Sequence, residues 1–477
     1  MVFNHRFMKK LLASCLMILV ATKSFTQQAE VLYKTYCGGC HGGKLEGNSA
    51  PKLIKEKWEH GATPAAIFRS IKTGIPNTEM KGWGNVLKDR EINTLVSFIV
   101  ASQKAPPKAN KSIPAKIAAA DYNLKVEKLD SGHTSIPWAI EFVDANRALI
   151  SERVGKMKWM VNGKVDTVSI RGLPATHKFS TTGGFMDIAL DPKYAENGWI
   201  YLGYSHTNGD LQDKNAPSMT RIIRGKIKDY EWTDQETLFE VPDSLMVVGG
   251  DRWGCRFLFD KAGHLYFTIG DMGRAEASQD PRRPTGKVYR INPDGSIPKD
   301  NPFVHTPGAL PAVFTLGNRN VEGIALHPVT GSIWATEHGP RGGDELNILK
   351  KGANYGWPVV TYGIDYSGNI VSGKTEQKGM EQPVVQWTPS IAVCPAEFVT
   401  GPLFPKWRNN LLVGALGFEE LRRLVIVNDK VTKQELIMKD FGRVRDIKTG
   451  PDGALYILLN LPDMILRLTP IEKAASK

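Results

Sequence analysis

Three residues near the start of the chain have the types and spacing that bind a redox group. Cys37, Cys40 and His41 form the pattern C-x-x-C-H, which is typical of covalent attachment of a c-type haem with the histidine as an axial ligand. Met80 follows His41 by 39 residues and can supply the second axial ligand, and its thioether favours reduced iron. The C-x-x-C-H motif could instead be a chance match, or a cysteine pair that binds a metal or has a redox role. Met80 could instead be an ordinary core methionine.

Two further segments carry arginines where strands are expected to begin. Arg319 and Asn320 precede a strand-like run in LGNRNVEGIALHP, and Arg443 and Arg445 lie two residues apart, on one face of another strand. Guanidinium groups bind carboxylates through paired hydrogen bonds, so converging arginines would form a pocket for a multiply anionic ligand. The structural alternative is that these arginines pair with acids and join the loops.

A glycine-rich acidic loop, GPRGGDELN, covers residues 339–347. Asp344 and Glu345, together with backbone carbonyls at tight Gly and Pro turns, offer the oxygen ligands that Ca²⁺ prefers. Loops of this composition also occur without a metal, so the loop alone leaves both interpretations open.

Residues 27–104 are predicted to form a small helical domain around the haem motif. Thr63 is predicted to cap a helix that ends at Gly74, and residues 87–102 place apolar side chains at helical spacing. This stretch resembles the class I c cytochromes, which take their second iron ligand, here Met80, from a loop before the last helix. A segment rich in Pro, Ala and Lys follows over 105–120 and is predicted to be a linker.

The remainder of the chain, residues 121–472, repeats one pattern: a hydrophobic strand end, a turn and a second strand. A six-bladed β-propeller is therefore predicted, because radial repetition of short strands closes around a channel. A doubly wound α/β fold is disfavoured, since no helical pattern separates the strands. The six hairpin-like units cover residues 142–155, 190–205, 259–271, 326–339, 404–417 and 449–460.

The first 26 residues have the pattern of a secretory signal. Arg6, Lys9 and Lys10 precede an apolar run over 11–21 that is too short to span a bilayer. We therefore expect an exported protein, in a bacterial periplasm, with no stable membrane insertion after the signal is removed. In that oxidising compartment Cys255 and Cys394 could form a disulfide or remain two separate buried thiols.

The formal net charge of +12 carries little information about partners. No cluster of Lys and Arg with interleaved aromatic residues occurs, which disfavours nucleic acid as a ligand. A mildly basic surface could attract an acidic redox partner downstream.

The loops NRNVEG, EHGPRGGDELN with NYGWP, and GRVRD, in this order on a six-unit repeat, resemble the soluble PQQ-dependent aldose (glucose/sorbosone) dehydrogenases from about residue 124 to 470. The resemblance implies that pyrroloquinoline quinone (PQQ), a tricarboxylate, binds at one end of the propeller channel. It also implies that sugar C1 gives a hydride to the quinone while a histidine removes the hydroxyl proton. By position, it assigns the cofactor to Arg319, Asn320, Arg443 and Arg445, one Ca²⁺ to the carbonyls of Gly339 and Pro340, and a second Ca²⁺ to Glu345 and the Tyr355 carbonyl.

The sequence departs from this family at the catalytic position. The family's base is a histidine four residues before an arginine; Arg256 aligns with that arginine, so Arg252 occupies the base position. Arginine stays protonated in proteins and cannot act as a base. Thr182 also stands where a glutamine of the cofactor site is expected, and VCPA at 393–396 replaces the family's APSG.

Three interpretations of Arg252 follow. Asp251 could act as the base in a reshaped site; Arg252 could bind a carboxylate and direct specificity to an acidic sugar or hydroxy acid; or the propeller could have lost dehydrogenation. The leading hypothesis is an exported oxidoreductase that oxidises a sugar-like alcohol with PQQ and Ca²⁺ and passes electrons to its own haem. The alternatives are a non-catalytic ligand-binding propeller with an attached cytochrome, and a calcium-stabilised interaction domain.

Overall fold

The computed structural model describes residues 28–47, 50–54, 58–76, 78, 80, 82–104, 111–179 and 182–472. The chain divides into two units with a boundary after residue 109, and residues 365–370 group with the first unit. The signal peptide predicted over 1–26 lies outside the described residues, as do residues 105–110 of the predicted linker. Within the described ranges, no helix has both the length and the apolar composition needed to cross a bilayer.

The first unit is the predicted helical domain. The Thr63 hydroxyl accepts a hydrogen bond from the Ala66 N–H at 3.2 Å and caps a helix that ends at Gly74, where φ is 77°. Apolar residues at helical spacing face a shared core that includes Tyr33, Ile67 and Leu95. The helices are α1 (28–36), α2 (Gly38–His41), α3 (Pro64–Thr73) and α4 (Asp89–Lys104).

The second unit contains six antiparallel sheets of four or five strands, which are the six predicted blades. Strands β1 (Lys116–Ala118) and β2 (Tyr122–Asp130) precede the first blade. The first blade is β3 (Pro137–Phe142), β4 (Arg147–Glu152), β5 (Lys156–Val161) and β6 (Lys164–Ser169). A two-stranded ribbon follows, β7 (Lys178–Phe179) and β8 (Thr182–Gly183). The second blade is β9 (Phe185–Leu190), β10 (Ile200–His206), β11 (Pro217–Lys228) and β12 (Glu231–Phe239), with β13 (Val247–Val248) added to β11.

The remaining blades have the same order of strands. The third is β14 (Phe257–Phe259), β15 (Leu265–Ile269), β16 (Lys287–Ile291) and β17 (Val313–Thr315). The fourth is β18 (Val321–Leu326), β19 (Ile333–Glu337), β20 (Asp344–Leu349) and β21 (Val385–Trp387). The fifth is β22 (Val393–Phe398), β23 (Leu411–Ala415), β24 (Glu420–Val427) and β25 (Lys430–Lys439). The sixth is β26 (Arg443–Thr449), β27 (Leu455–Asn460) and β28 (Met464–Glu472), completed by β2 and β1. One short helix, α5 (Tyr194–Asn197), and the 3₁₀ turns Asp243–Leu245, Ala275–Gln279 and Pro405–Trp407 lie in the connections.

The ring of blades is closed by strands from its two ends. The inner strands β3, β9, β14, β18, β22 and β26 each contact the next, and β26 contacts β3. In the sixth blade β2 pairs with β28, with Leu124 opposite Pro470, so the first and last strands share one sheet. Residues 116–118, which the sequence assigned to the linker, form β1 and pair with β2, with Lys116 opposite Lys125.

Each inner strand begins beside the end of the second strand of its blade. Pro137 pairs with Glu152 in the first blade, and Arg443 pairs with Asn460 in the sixth. Residues just before the inner strands and just after the second strands therefore meet at one end of the channel, which we call the start face. The loops that the sequence singled out all reach this face.

Candidate functional site

The C-x-x-C-H motif lies on a single helical turn. The N–H groups of Cys40 and His41 both donate to the Cys37 carbonyl, at 3.2 and 2.9 Å, which brings the two cysteines and the histidine to the same turn. Cys37 is buried and Cys40 is exposed. His41 Nδ1 lies 2.7 Å from the Pro51 carbonyl oxygen. A carbonyl only accepts, so Nδ1 carries the hydrogen and Nε2 is the nitrogen left to bind iron.

Met80 lies in a loop that is folded against the helices of the same unit. Its carbonyl accepts from the Ile75 N–H at 2.9 Å, and its own N–H donates to the Thr78 hydroxyl at 3.2 Å. The side chain packs partly buried against the cluster that contains Cys37. Gly82 allows the loop to approach α3, since a Cβ there would lie 2.6 Å from the Thr73 carbonyl carbon. These placements fit a haem held by two thioethers, His41 and Met80.

In the propeller, the predicted anion-binding residues all lie at the start face. Arg319 Nη1 donates to the carbonyls of His338 and Gly339, at 3.1 and 2.7 Å, and its guanidinium lies 5.2 Å from the centre of the Trp357 ring. Asn320 donates from Nδ2 to Glu322 at 2.9 Å. The loop before β18 holds both predicted ligands, and its backbone is fixed by the third blade, where the Asp271 N–H donates to the Arg319 carbonyl at 2.7 Å.

Arg443 and Arg445 begin β26 on the same face. Arg445 Nη1 forms an ion pair with Glu322 at 3.1 Å, and its guanidinium lies 4.0 Å from the centre of the Trp138 ring. Burial, together with the positive charge of Arg445, lowers the pKa of Arg443 to about 10. Cys394 and Glu419 oppose this shift of the Arg443 pKa without cancelling it.

Thr182 also lies at the start face, at the position where a cofactor contact was expected. Its hydroxyl accepts a hydrogen bond from Trp253 Nε1 at 3.3 Å. Trp253 directly follows Arg252, so Thr182 is joined to the segment that contains the altered base position.

Two carboxylates share a pocket beside the glycine-rich loop. The pocket is lined by Glu337, Glu345, Gly339, Pro340 and Tyr355 among others. Burial and the charge of Glu337 raise the pKa of Glu345 to about 8, and burial raises that of Glu337 to about 7. A cation would relieve both effects. The described residues contain no cluster of three or more His, Cys, Asp or Glu side chains arranged for a metal, so a cation here would depend on backbone carbonyls.

Asp344 has a different position from Glu345. Its fully buried carboxylate accepts hydrogen bonds from the N–H groups of Gly339 and Val393 and from the Ser390 hydroxyl, at 3.0, 2.9 and 2.6 Å. These bonds hold the loop to the fifth blade and use much of the carboxylate's acceptor capacity. The sequence analysis missed Glu337, which lies at the end of β19 and lines this pocket. Its position in the sequence EHG, directly before the glycine-rich loop, could have indicated it.

Comparison with known proteins identifies the families that the two parts of the chain match. The family model described as Glucose / Sorbosone dehydrogenase matches residues 134–467. The chain belongs to the glucose/sorbosone dehydrogenase family. A second model, described as Cytochrome C oxidase, cbb3-type, subunit III, matches residues 25–99, in agreement with the cytochrome c domain at the front.

Individual members of the family cover most of the propeller. The chain is 37% identical over 349 residues to the aldose sugar dehydrogenase YliI of Escherichia coli (strain K12), covering 72% of this chain and 91% of that protein. It is 30% identical over 280 residues to quinoprotein glucose dehydrogenase B of Acinetobacter calcoaceticus, covering 54% and 57%. A solved structure of the soluble aldose sugar dehydrogenase from Escherichia coli in the apo form superposes with a TM-score of 0.67 at 34% identity, covering 73% of this chain and all of that one. The protein is thus an oxidoreductase that consists of a β-propeller joined to a cytochrome c domain.

Arg252, at the position of the family's catalytic histidine, forms ion pairs with two acids. Its Nε lies 2.7 Å from Asp271 and its Nη1 lies 2.8 Å from Asp251. Asp271 is fully buried and also accepts from Trp357 Nε1 at 2.9 Å and from the Gly273 N–H at 3.0 Å. We call Asp251, Arg252, Asp271 and Trp357 the acid–arginine chain. The sequence analysis assigned no role to Asp271 or Trp357, although each directly follows a glycine, in the sequences IGD and YGW.

The two cysteines of this glucose/sorbosone dehydrogenase family member do not pair. Cys255 and Cys394 are both buried free thiols. Cys394 Sγ lies 3.5 Å from Arg445 Nη1 and 3.6 Å from Arg256 Nη2. Arg256 in turn forms ion pairs with Asp446 at 3.1 Å and Asp187 at 3.6 Å within the channel. The replacement of the family's APSG by VCPA therefore places a thiol among channel arginines.

Proposed function

We propose that the protein is a quinohaemoprotein dehydrogenase that oxidises a sugar-like alcohol at the start face of the propeller. The observation that carries the proposal is the set of arginines 319, 443 and 445 at one end of the channel, in the same chain as a haem motif. Oxidation of an alcohol to a carbonyl releases two electrons and two protons, whereas a haem accepts one electron at a time. Two successive one-electron transfers to the haem would then complete each turnover.

The residues at the start face fit a bound polycarboxylate. When bound, PQQ supplies the two-electron acceptor and Ca²⁺ a Lewis acid. Arg319, Arg443 and Arg445 would hold the carboxylates, with Asn320 and Thr182 as neutral hydrogen-bonding partners. The carbonyls of Gly339 and Pro340 would hold one cation, and Glu345 with the Tyr355 carbonyl a second. Arg319 already donates to the Gly339 carbonyl, which leaves that oxygen one lone pair for a cation.

For the proton of the substrate hydroxyl, we propose Asp251 as the acceptor. About half of its side chain is exposed, and Arg252 fixes one of its oxygens at 2.8 Å. Arg252 is itself anchored on buried Asp271, so the carboxylate of Asp251 is held in one place. Because two acids already offset the charge of Arg252, we favour this role for Asp251 over recognition of a substrate carboxylate by Arg252.

The front domain would receive the electrons. Cys37 and Cys40 would form thioethers with the haem, and His41 and Met80 would bind the iron, with the Pro51 carbonyl orienting the imidazole. The proposed division is a signal at 1–26, the cytochrome domain at 27–104, a linker at 105–115 and the propeller from 116 to 472, since β1 belongs to the sixth blade. We further propose export to a periplasm and a downstream redox protein as the final acceptor.

The test uses the full-length, haem-loaded protein with PQQ, CaCl₂ and a panel of neutral aldoses and sugar acids. The expected result is a reduced-haem absorption spectrum only when PQQ, Ca²⁺ and a substrate are all present. Tight PQQ binding without haem reduction by any substrate would indicate a ligand-binding propeller instead. No PQQ binding at all would refute the proposal.

A further inference from the structure

A fourth arginine lies beside the pair that begins β26. Arg153 directly follows β4, whose last residue, Glu152, pairs with Pro137 at the start of β3. The Pro137 carbonyl accepts a hydrogen bond from Asn460 at 3.0 Å, and Asn460 pairs with Arg443 across the sixth blade. Arg153 is thus placed at the start face where the first and sixth blades meet.

The glycine-rich segment after β7 presses against Arg153. A Cβ at Gly184 would lie 1.9 Å from the Arg153 carbonyl oxygen and 3.0 Å from its Cγ, and the φ of Gly184 is 109°. Only glycine permits this approach. The same segment contains Thr182. The backbone of Arg153 is further fixed by its N–H, which donates to the Ile136 carbonyl at 3.0 Å.

The arginines at this junction outnumber their acids. Arg445 pairs with Glu322, but among the described residues no carboxylate lies within 4 Å of the guanidinium nitrogens of Arg153 or Arg443. Glu152 faces elsewhere, toward Lys158 and the Ser135 N–H. Burial and the charge of Arg445 lower the pKa of Arg153, with only Asp463 opposing. Grouping like charges in a partly buried place is unfavourable unless an anion joins them.

We propose that Arg153 is a further anion-binding residue, which together with Arg443 and Arg445 holds one carboxylate group of a polycarboxylate ligand. This inference rests on the proposed function and extends it, since it assigns a residue that the loop motifs did not indicate. It also gives a reason for the second glycine of TTGG: a side chain there would push Arg153 away from the cluster.

The test compares Arg153→Gln with the wild-type protein, both full length and haem-loaded, by PQQ titration in the presence of Ca²⁺ and by thermal unfolding without PQQ. We expect the Kd for PQQ to rise about tenfold to a hundredfold, as for loss of one charge-assisted hydrogen bond. We expect the ligand-free unfolding midpoint to stay the same or rise, because one of three like charges is removed.

The matched control is Arg423→Gln in the fifth blade. Arg423 is paired with Glu435 at 2.6 Å and Asp121 at 2.7 Å. Its loss should lower the midpoint and leave the Kd for PQQ unchanged, the opposite of the Arg153 variant. An unchanged Kd in Arg153→Gln, or a lowered midpoint like that of the control, would overturn the inference.

Citrate, a second tricarboxylate, separates this inference from the proposed function. If PQQ does not bind the wild type but citrate raises its midpoint, and fails to do so in Arg153→Gln, the proposed function is refuted and the anion site stands. If PQQ binds wild type and variant equally, the proposed function survives and the role of Arg153 is refuted. If neither anion binds the wild type, both are refuted.

Discussion

Substitution of Asp271 tests the acid–arginine chain most directly. Every group that its carboxylate meets is a donor: Arg252 Nε and the Gly273 N–H at one oxygen, and Trp357 Nε1 at the other. In Asp271→Asn the amide NH₂ must face a donor whichever way the side chain turns. The change therefore removes a charge partner of Arg252 and leaves at least one buried donor unsatisfied.

The size of the effect follows from burial. Asp271 is fully buried, and breaking a buried ion pair by removing one partner costs about 3–5 kcal/mol. The unfolding midpoint of the propeller should fall by roughly 4–7 °C, since the unfolding entropy of a domain of this length is about 0.7 kcal/mol/K. Arg252 would lose its anchor and Asp251 its fixed partner, so kcat should drop by about a hundredfold, the typical result of displacing a reacting group by about 1 Å.

The assay is haem reduction by substrate under saturating PQQ and Ca²⁺, together with thermal unfolding followed by circular dichroism. The control is Asp260→Asn, at a turn of the third blade where the carboxylate accepts from the N–H groups of Ala262 and His264, both at 2.9 Å. An asparagine oxygen can still accept there. The other carboxylate oxygen lies 3.0 Å from His264 Nδ1 and 3.3 Å from the Tyr266 hydroxyl, and both of these groups can accept from the asparagine NH₂, so both readouts should stay near wild type. A kcat for Asp271→Asn equal to that of the control would refute the positioning role, and an unchanged midpoint would refute the buried ion pair.

Four other predictions address single residues. Met80→His should lower the haem reduction potential in a potentiometric titration, because the thioether favours reduced iron; an unchanged potential would exclude Met80 as a ligand. Asp251→Asn should lower kcat roughly 10²–10⁴-fold with little change in PQQ affinity, and full activity would exclude it as the base. Glu345→Gln should reduce the rise in unfolding midpoint that added Ca²⁺ gives, whereas an undiminished rise would place the cation elsewhere. Burial raises the pKa of Asp187 to about 7 despite the nearby Arg256, so the folded state retains a proton that the unfolded chain releases above about pH 4. The free energy of unfolding should therefore fall from pH 4 to 7 on account of this group, and Asp187→Asn should make that decline smaller in urea titrations.

The architecture was accessible from the sequence because its signals are local. Five of the six predicted hairpin units join the inner and second strands of one blade, such as β9 with β10 and β26 with β27. The unit at 404–417 contains only the second strand of its blade, β23, because the inner strand β22 ends earlier, at Phe398. The cap at Thr63 is a contact within three residues. The strand β1 was not predicted, because a segment of three residues rich in Lys and Ala forms a strand only when β2 is available as a partner.

The candidate site could be predicted only in part, because only some of its residues carry a local sequence signal. Motif loops indicated Arg319, Arg443 and Glu345, which stand next to strand starts or glycine turns. Arg153 carries no motif of its own, and its relation to Arg443 depends on the meeting of the first and last blades. The role of Asp271 likewise depends on its hydrogen bonds with Arg252 and Trp357, which lie in distant parts of the sequence.

Closure of the ring has a consequence for the order in which the protein matures. The partner of β2 is β28, so the strand that follows the cytochrome domain must wait for the last part of the chain. Contacts between such distant residues form slowly, because the intervening chain must first be brought together. The helical turn that carries Cys37, Cys40 and His41 packs in a core formed by residues 32–100, and this part of the chain comes first in synthesis. A nascent molecule could therefore become a cytochrome well before it becomes a dehydrogenase, and haem attachment need not wait for the propeller.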